Sequence, residues 1–379
     1  MWESHPRVGG VQPADVVRHR LRAQHLRGGR AEGPAQVVRE LLAVQAQELP
    51  VARWSLAQRS TGDDEEVRRL LDEGAVLRTH ALRPTWHLLA PEDLRWVLRA
   101  TSPRVHQASV TACRREGLDA DALRRTDSLL AAAVGARGHL TREGLREALG
   151  TERSAMWWTL AVMHAELEGV LVSGRAQGVH QTYALAEERA PAGRDLTGDE
   201  ALVELVRRFL VGHGPAGVRD LAWWASLTLT QVRRALAALD DEVERLDVAG
   251  TELWWVPAAL PSDDGGGAAR DVVGNGTGDG PVVDLLQAFD EAHGSFPATR
   301  SLMDPAGLAA HRPQDNAAIH VLLVDGLVAG WWRRYTRPGR VEVTVRPARE
   351  LTAAEHASVL AAFAEHERFV GQEVRVEFG

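Results

Sequence analysis

Apolar residues three and four positions apart mark the first ordered stretch of the chain. In "GPAQVVRELLAV", residues 33 to 44, Val37, Val38, Leu41 and Leu42 share one helical face. "DDEEVRRLLDEG", residues 63 to 74, predicts a second helix. "AVLRTHALRPTWHLL", residues 75 to 89, then reads as two β-rich runs joined near Arg83 and Pro84. Helix, helix, hairpin is the order of a winged helix.

The order returns twice. "LTREGLREALG", 140 to 150, opens on Thr141 as a helix N-cap, with Arg142 and Glu143 in the first turn. "MWWTLAVMHAELEG" follows as a helix ending at Gly169, and "VLVSGRAQGVHQTYAL" as a hairpin. The third round comprises "GDEALVELVRRFLVGHG", "GVRDLAWWA", "LTQVRRALAALDD" and the hairpin "VERLDVAGTELWWVP". Spacing this uneven indicates tandem modules rather than a solenoid. Residues 262–281, "SDDGGGAARDVVGNGTGDGP", hold too little apolar surface for a core and read as a flexible loop. Beyond them the alternation becomes strand-like. "IHVLLVDGLVAGWWRRY" and "RVEVTVRP" predict a meander turning at Asp325-Gly326 and Pro338-Gly339. One helix, "TAAEHASVLAAFAEHERF", and a last strand, "VRVEF", complete it.

The expected fold is α+β, with three tandem winged-helix units and a small C-terminal β-rich unit. The first unit covers 1–100. Linking helices and the second unit cover 101–190, the third covers 196–261, and the C-terminal unit covers 282–379.

Two glutamines interrupt the first helical pattern. Pro50 disfavours helix in the residue before it, so a helix from Pro34 or Ala35 is expected to end near Val44. Gln45-Ala46-Gln47 is then extended. Residues two apart on an extended segment face one side, so both carboxamides project to one place while Glu48 faces away. On spacing alone, a helix-capping Gln45 and a solvated Gln47 explain the pattern better than chemistry does.

Composition narrows the function classes. No run of about 18 apolar residues exists to span a bilayer, and "MWESHPRVGG" lacks the features of a signal peptide, which predicts a cytoplasmic protein without membrane contact. The lone Cys113 forms no internal disulfide, and no sequence motif announces a metal site. Residues 1–190 carry 26 Arg against 24 acidic residues, whereas 191–379 carry 18 against 28. A polyanion therefore fits the N-terminal half. All 44 basic residues are Arg, so no lysine can form a Schiff base. No Gly-rich phosphate loop, HExxH, CxxC pair or serine nucleophile elbow appears.

Widely spread stretches carry a family resemblance. They are "AVQAQ" (43–47), "LRPTWHLLAPEDLRWVL" (82–98), "LTREGLREALG" (140–150), "QTYAL" (181–185), "GHGPAGVRDLAWWASL" (212–227), "LLQAFDE" (285–291) and "VLLVDGLVAGWWRR" (321–334). The chain resembles the bacterial winged-helix DNA glycosylases related to the azinomycin-resistance protein AlkZ, the YcaQ branch included. The resemblance implies a concave face cradling duplex DNA and hydrolysis of the glycosidic bond of N7-alkylguanine, bulky adducts included. It implies no cofactor, and the expected form is a monomer. The family's catalytic motif is Gln, an apolar residue, then Gln or Asp, which Gln45-Ala46-Gln47 matches in its Gln-terminated form.

Two amides suit such a reaction. Alkylation at N7 makes the base cationic, so its departure needs no acid. A carboxamide oxygen can hold the hydrolytic water and oppose the cationic sugar. Without lysine, an intact abasic site is the expected product. In "RPTWHLL", His87, Arg83 and Thr85 are candidates for contacting sugar or phosphate, and the alternative is that Thr85 and His87 only face solvent or pack. Arg53, Arg59 and Arg78 are further candidates for phosphate contact, against the plainer reading of solvated arginines. "GSFPATRSLMD", 294 to 304, departs from a more aromatic stretch in relatives, so no DNA contact is carried over to it. The rival reading is a non-enzymatic winged-helix regulator. It would lay "DDEEVRRLLDEG", with six acidic residues, in a major groove.

Overall fold

The computed structural model describes residues 7–8, 11–190, 193–257, 280–313 and 319–379. The expected flexible loop lies, except for its last two residues, outside the described residues.

A short strand, β1 (Arg7–Val8), precedes α1 (Pro13–Ala23). A first set of elements runs α2 (Pro34–Leu41), β2 (Ala43–Gln45), α3 (Leu49–Arg59), α4 (Asp64–Glu73), β3 (Leu77–Ala81) and β4 (Arg83–Leu89). The long α5 (Leu94–Arg115) leads to a second set: α6 (Ala120–Arg137), β5 (Leu140–Thr141), α7 (Arg142–Leu149), α8 (Ala155–Leu167), β6 (Leu171–Ser173) and β7 (Thr182–Leu185). After α9 (Ala186–Arg189), the third set holds α10 (Gly198–His213), α11 (Val218–Trp224), α12 (Leu229–Leu239), β8 (Glu244–Val248) and β9 (Thr251–Trp255). The C-terminal part comprises β10 (Val283–Leu286), α13 (Glu291–Gly294), β11 (His320–Val324), β12 (Leu327–Arg337), β13 (Arg340–Pro347), α14 (Ala353–Val370) and β14 (Glu373–Phe378).

Helix, strand, two helices and hairpin thus recur, giving three-stranded sheets in the orders β2-β4-β3, β5-β7-β6 and β1-β8-β9. In the third set the lone strand shrinks to a bridge between Ala216 and Trp254. The C-terminal sheet keeps chain order from β10 to β14. Its pairs are antiparallel except β13 with β14, which are parallel and joined through α14.

Local chemistry explains most boundaries. Asp63 caps α4 by accepting from the Glu66 N–H, and Thr141 caps α7 by accepting from Gly144, as its sequence position predicts. Asp325 and Gly326, at φ 50° and 81°, form the tight turn expected between β11 and β12. Two expectations near the glutamines need correction. The helix from Pro34 ends at Leu41, three residues before Val44, because Leu42 adopts φ 64° and turns the chain into β2. The extended run covers Gln45 but not Gln47, which lies in a bend leading into α3, where Pro50 occupies the second position and its missing N–H has no intrahelical partner to lose.

That unanticipated helix joins two cores. Leu49, Ala52 and Leu56 of α3 pack into the first core, with Val37, Val38 and Leu41. Trp54 and Ala57 pack instead against Leu285, Trp332 and Phe363 on the C-terminal sheet, and the Trp54 indole donates to the Leu285 carbonyl at 2.9 Å. On the opposite side, Val17 and Leu21 of α1 meet Leu323 and Val328, while Val16 packs with Leu246 and Leu253. No helix among the described residues is long and apolar enough to cross a membrane.

The expected phosphate contact Arg59 is corrected here. Its guanidinium is fully buried, 2.6 Å from Asp290, and also donates to Ser55 and Gln24. Removing one partner of a buried ion pair leaves an uncompensated charge, so Arg59→Ala is expected to destabilise the fold by about 3–5 kcal/mol. Chemical denaturation of the variant beside wild type measures it, and a change below about 1 kcal/mol would contradict the buried pair.

Candidate active site

Antiparallel pairing of β2 with β4 sets the position of Gln45. Ala43 faces Leu89, Val44 faces Leu88 and Gln45 faces His87. One residue on, the Ala46 N–H still donates to the Trp86 carbonyl at 2.7 Å. The main chain of Gln45 is held from its other side by the "LLQAFDE" segment. Its N–H donates to Glu291 Oε1 at 2.8 Å, and its carbonyl accepts from Gln287 Nε2 at 2.9 Å. Gln45 is 5% exposed, yet its carboxamide makes no hydrogen bond among the described residues. The backbone of Gln45 is thus fixed while its amide is left uncommitted.

Gln47 lies two residues on, at the surface. Its Oε1 accepts a long hydrogen bond of 3.4 Å from the Trp86 N–H. Arg78 secures this stretch, donating to the carbonyls of Ala46 at 3.0 Å and Gln47 at 3.4 Å while its guanidinium stacks on Trp86 at 4.3 Å. The arginine therefore braces the motif rather than reaching out for phosphate. Glu48 is half-buried as the N-cap residue of α3, and burial raises its pKa against the opposing pull of Arg334.

The first hairpin carries three further candidates, and their placement corrects the expected direct contacts. His87 is fully buried. Its Nδ1 donates to the Thr85 carbonyl at 3.0 Å, which leaves Nε2 to accept from Arg83 at 3.1 Å. Burial and then the Arg83 charge push the imidazole down to about 3, so it is neutral at physiological pH. Of the two alternatives from the strand alternation, packing holds for His87 and facing solvent does not. The Thr85 hydroxyl is buried and unpartnered, so it meets no solvent. Arg83 is 9% exposed, donates to the Trp224 carbonyl at 2.5 Å, and stacks 4.5 Å over Trp223, itself 45% exposed. A base or sugar reaching this point would meet the indole before the guanidinium.

Glu291 organises the ground behind Gln45. Besides the Gln45 N–H, it accepts from Trp224 Nε1 at 2.8 Å and Ser295 at 2.6 Å, and His213 Nε2 lies 3.3 Å away. Burial alone would raise the carboxyl pKa. His213 and Arg83 outweigh it and hold the group below the ordinary carboxylate range. An anion saturated by donors is an anchor, not a free base. In the sequence this anchor sits within "LLQAFDE", where nothing in the local pattern gives its polar residues a partner. Gln287, Asp290 and Glu291, polar groups in an otherwise apolar segment, were the available signal.

Arg53 stands on the wall of a cleft of about 680 Å³ that starts at Leu49 and Pro50, just past Gln47. Its Nε lies 2.8 Å from Asp64, and burial lowers its pKa. The second hairpin contributes Val179, 91% exposed, and the C-terminal sheet contributes Arg334, which no sequence argument had singled out. The 294–304 segment is instead fastened inward. Asp220 accepts from the Ala298 and Thr299 N–H groups, Arg20 donates to Thr299, and Phe296 lies buried under Arg20 at 3.7 Å.

The sequence matches the model of the family described as DNA glycosylase AlkZ-like over residues 38–369, nearly the whole chain. The chain therefore belongs to the AlkZ-like DNA glycosylase family. A curated relative from Streptomyces sahachiroi, named an interstrand DNA cross-link repair glycosylase, is 27% identical over 251 residues, covering 62% of this chain and 67% of its own. The solved structure of Streptomyces sahachiroi DNA glycosylase AlkZ superposes with a TM-score of 0.77 at 22% identity, over 97% of this chain and 100% of that one, and shares its fold.

Two outcomes follow from this geometry. Glu291→Ala strips an acceptor from the Gln45, Trp224 and Ser295 donors at about 1–3 kcal/mol each, and is expected to lower stability far more than Glu291→Gln, which keeps an oxygen there. Equal denaturation midpoints would contradict this. The second concerns pH. His87, His293, His320 and His366 are each pushed down to about 3, chiefly by burial, so each is neutral folded and protonates on unfolding below its ordinary value near 6.5. This stability is fully present above about pH 6.5 and is lost as pH falls toward about 3, at up to about 1.4 kcal/mol per pH unit for each histidine. Melting curves from about pH 7 to about pH 4.5 are expected to show a falling Tm, and a flat profile would contradict neutral burial.

Proposed function

We propose that this enzyme hydrolyses the N-glycosidic bond of N7-alkylguanine in duplex DNA, with Gln45 and Gln47 carrying the step. The observation that supports this most is the Gln45 carboxamide, unpartnered among the described residues while its own backbone is held by both Glu291 and Gln287. Such an amide can accept a hydrogen bond from water and turn its negative end toward an oxocarbenium-like sugar. Gln47, exposed beside it along the chain, is the second group that orients the water.

The bond changes are simple. Water oxygen bonds to C1′ as the C1′–N9 bond breaks, and the bond's electron pair neutralises the cationic base. The water's proton passes to solvent, leaving an intact abasic site. No acid needs to protonate the leaving base, which agrees with a site whose histidine is neutral and whose carboxylate is occupied. An undamaged purine, with no charge to relieve, stays in place. With no lysine to form a Schiff base, the enzyme is monofunctional.

Bulky adducts are the substrates the architecture favours, interstrand crosslinks among them, in keeping with the printed name of the curated relative. The open cleft beyond Gln47 offers room that a tight base pocket would deny. The three helix–strand–helix–helix–hairpin sets act as winged helices around the duplex, in a cytoplasmic monomer that needs no cofactor. Arg53 and Arg334 on the cleft wall attract the phosphates, giving salt-dependent binding. Arg83 acts through Trp223, which it supports from below.

The test is a hot-alkali strand-break assay on a duplex holding one N7-alkylguanine. Wild type is expected to yield breaks only after alkali. Gln45→Ala/Gln47→Ala is expected to lose about 10²-fold or more in single-turnover rate with an unchanged Tm. Breaks without alkali would refute monofunctional action, and an unimpaired double variant would remove the two amides from the mechanism. Binding to a preferred undamaged sequence with no excision would point to the regulator instead.

A further inference from the structure

Away from the glutamines, three helices bring together side chains that no sequence motif connects. His106 comes from α5, Asp127 from α6, and His164 with Glu168 from α8 and its C-cap. His164 and Glu168 are four residues apart and so share one helical face. One ligand-type atom from each of His106, His164 and Glu168 lies within 4.8 Å of the other two.

The contacts within this group are not those of ordinary ion pairs alone. His106 Nε2 lies 2.7 Å from Glu168 Oε1, yet that nitrogen has no aligned hydrogen-bond partner. The two imidazoles are 4.7 Å apart between centroids, tilted by 48°, which would set two like charges together if both were protonated. His164 Nδ1 instead pairs with Asp127 Oδ2 at 2.9 Å. A histidine whose one nitrogen is committed to a carboxylate presents the other as a ligand, the arrangement that orients imidazoles in metal sites.

We propose that His106, His164 and Glu168 form a binding site for a divalent transition-metal ion of the zinc type, with Asp127 orienting His164. Two imidazole nitrogens and one carboxylate suit zinc and its neighbours, whereas magnesium and calcium take sets of oxygens. Bond lengths of about 2.0–2.2 Å place the ligand atoms of a four-coordinate ion about 3.3–3.6 Å apart, so on binding the 2.7 Å His106–Glu168 pair opens and atoms up to 4.8 Å apart close through side-chain rotation. The site opens to solvent: His106 and Glu168 line two adjacent clefts of about 390 and 600 Å³, and the Glu168 side chain is 49% exposed. Water can take the fourth position. The ion would tie α5 to α8 directly and to α6 through Asp127, bracing the second set of elements independently of the glutamine site.

The experiment uses the full chain, stripped with a chelator and titrated with Co²⁺ and then Zn²⁺. Co²⁺ is read by its visible absorption and Zn²⁺ by calorimetry and thermal shift. The 15 histidines give background binding, so the surface variant His180→Asn serves as control. Wild type and control are expected to bind one ion per chain, with four-coordinate Co²⁺ bands displaced by Zn²⁺ and a Tm raised by the ion. His164→Asn is expected to weaken Zn²⁺ affinity at least about 100-fold and to abolish the bands, and Asp127→Asn to weaken it about 10- to 100-fold. Glu168→Gln changes a half-exposed side chain and keeps the test valid if a histidine variant fails to fold. Its expected result is loss of the Co²⁺ bands with an unchanged circular dichroism spectrum. Absence of saturable binding, or equal binding by wild type and Glu168→Gln, would overturn the proposal and leave two separate histidine–carboxylate pairs.

Discussion

Two adjacent buried carboxylates, Asp290 and Glu291, hold the glutamine motif against the C-terminal sheet. Asp290 neutralises Arg59 at the end of α3, and Glu291 accepts from the backbone of Gln45 at the end of β2. Both follow directly on β10 and both are almost wholly enclosed. Charges taken so far from water persist only with full complements of donors, so they impose a narrow geometry on whatever surrounds them. The segments flanking Gln45-Ala46-Gln47 are thereby fixed from a part of the chain more than 200 residues away.

This explains how a site with weak chemical groups can stay ordered. An amide is a poor base, and in the proposed reaction its contribution rests on where it points. Here the precision lies in the backbone: strand pairing to His87, one carboxylate and one glutamine side chain hold Gln45 while its carboxamide stays uncommitted. His87 fits the same logic. Buried, neutral and bonded on both nitrogens, it joins the Thr85 carbonyl to Arg83 and passes rigidity to Trp223 at the surface.

The arginines divide into two groups by the same physics. Arg20, Arg59 and Arg83 are buried with their guanidinium groups matched to carbonyls, hydroxyls or carboxylates, and they act as structural crosslinks. Arg53 and Arg334 stand at the cleft beyond Gln47. A chain without lysine relies on guanidinium for its buried ion pairs, and the planar fork suits them particularly well.

Local patterning by itself determined the repeated helix and hairpin order, the cap at Thr141, the turn at Asp325-Gly326, and the Gln45-Ala46-Gln47 motif whose likeness to a glycosylase family was visible in the residues alone. These features depend on contacts within a few residues, which a linear pattern records. Pro50 marks the boundary of that method, because the same residue can end one helix or begin the next. Only the tertiary structure decided that Arg59, Thr85 and His87 face inward, that Arg78 braces the motif, and that Glu291 and Gln287 capture Gln45. It alone gathered His106, Asp127, His164 and Glu168 from three helices. The physical reason is that burial and pairing of a polar side chain depend on which distant segment covers it, and no spacing along the chain encodes that partner.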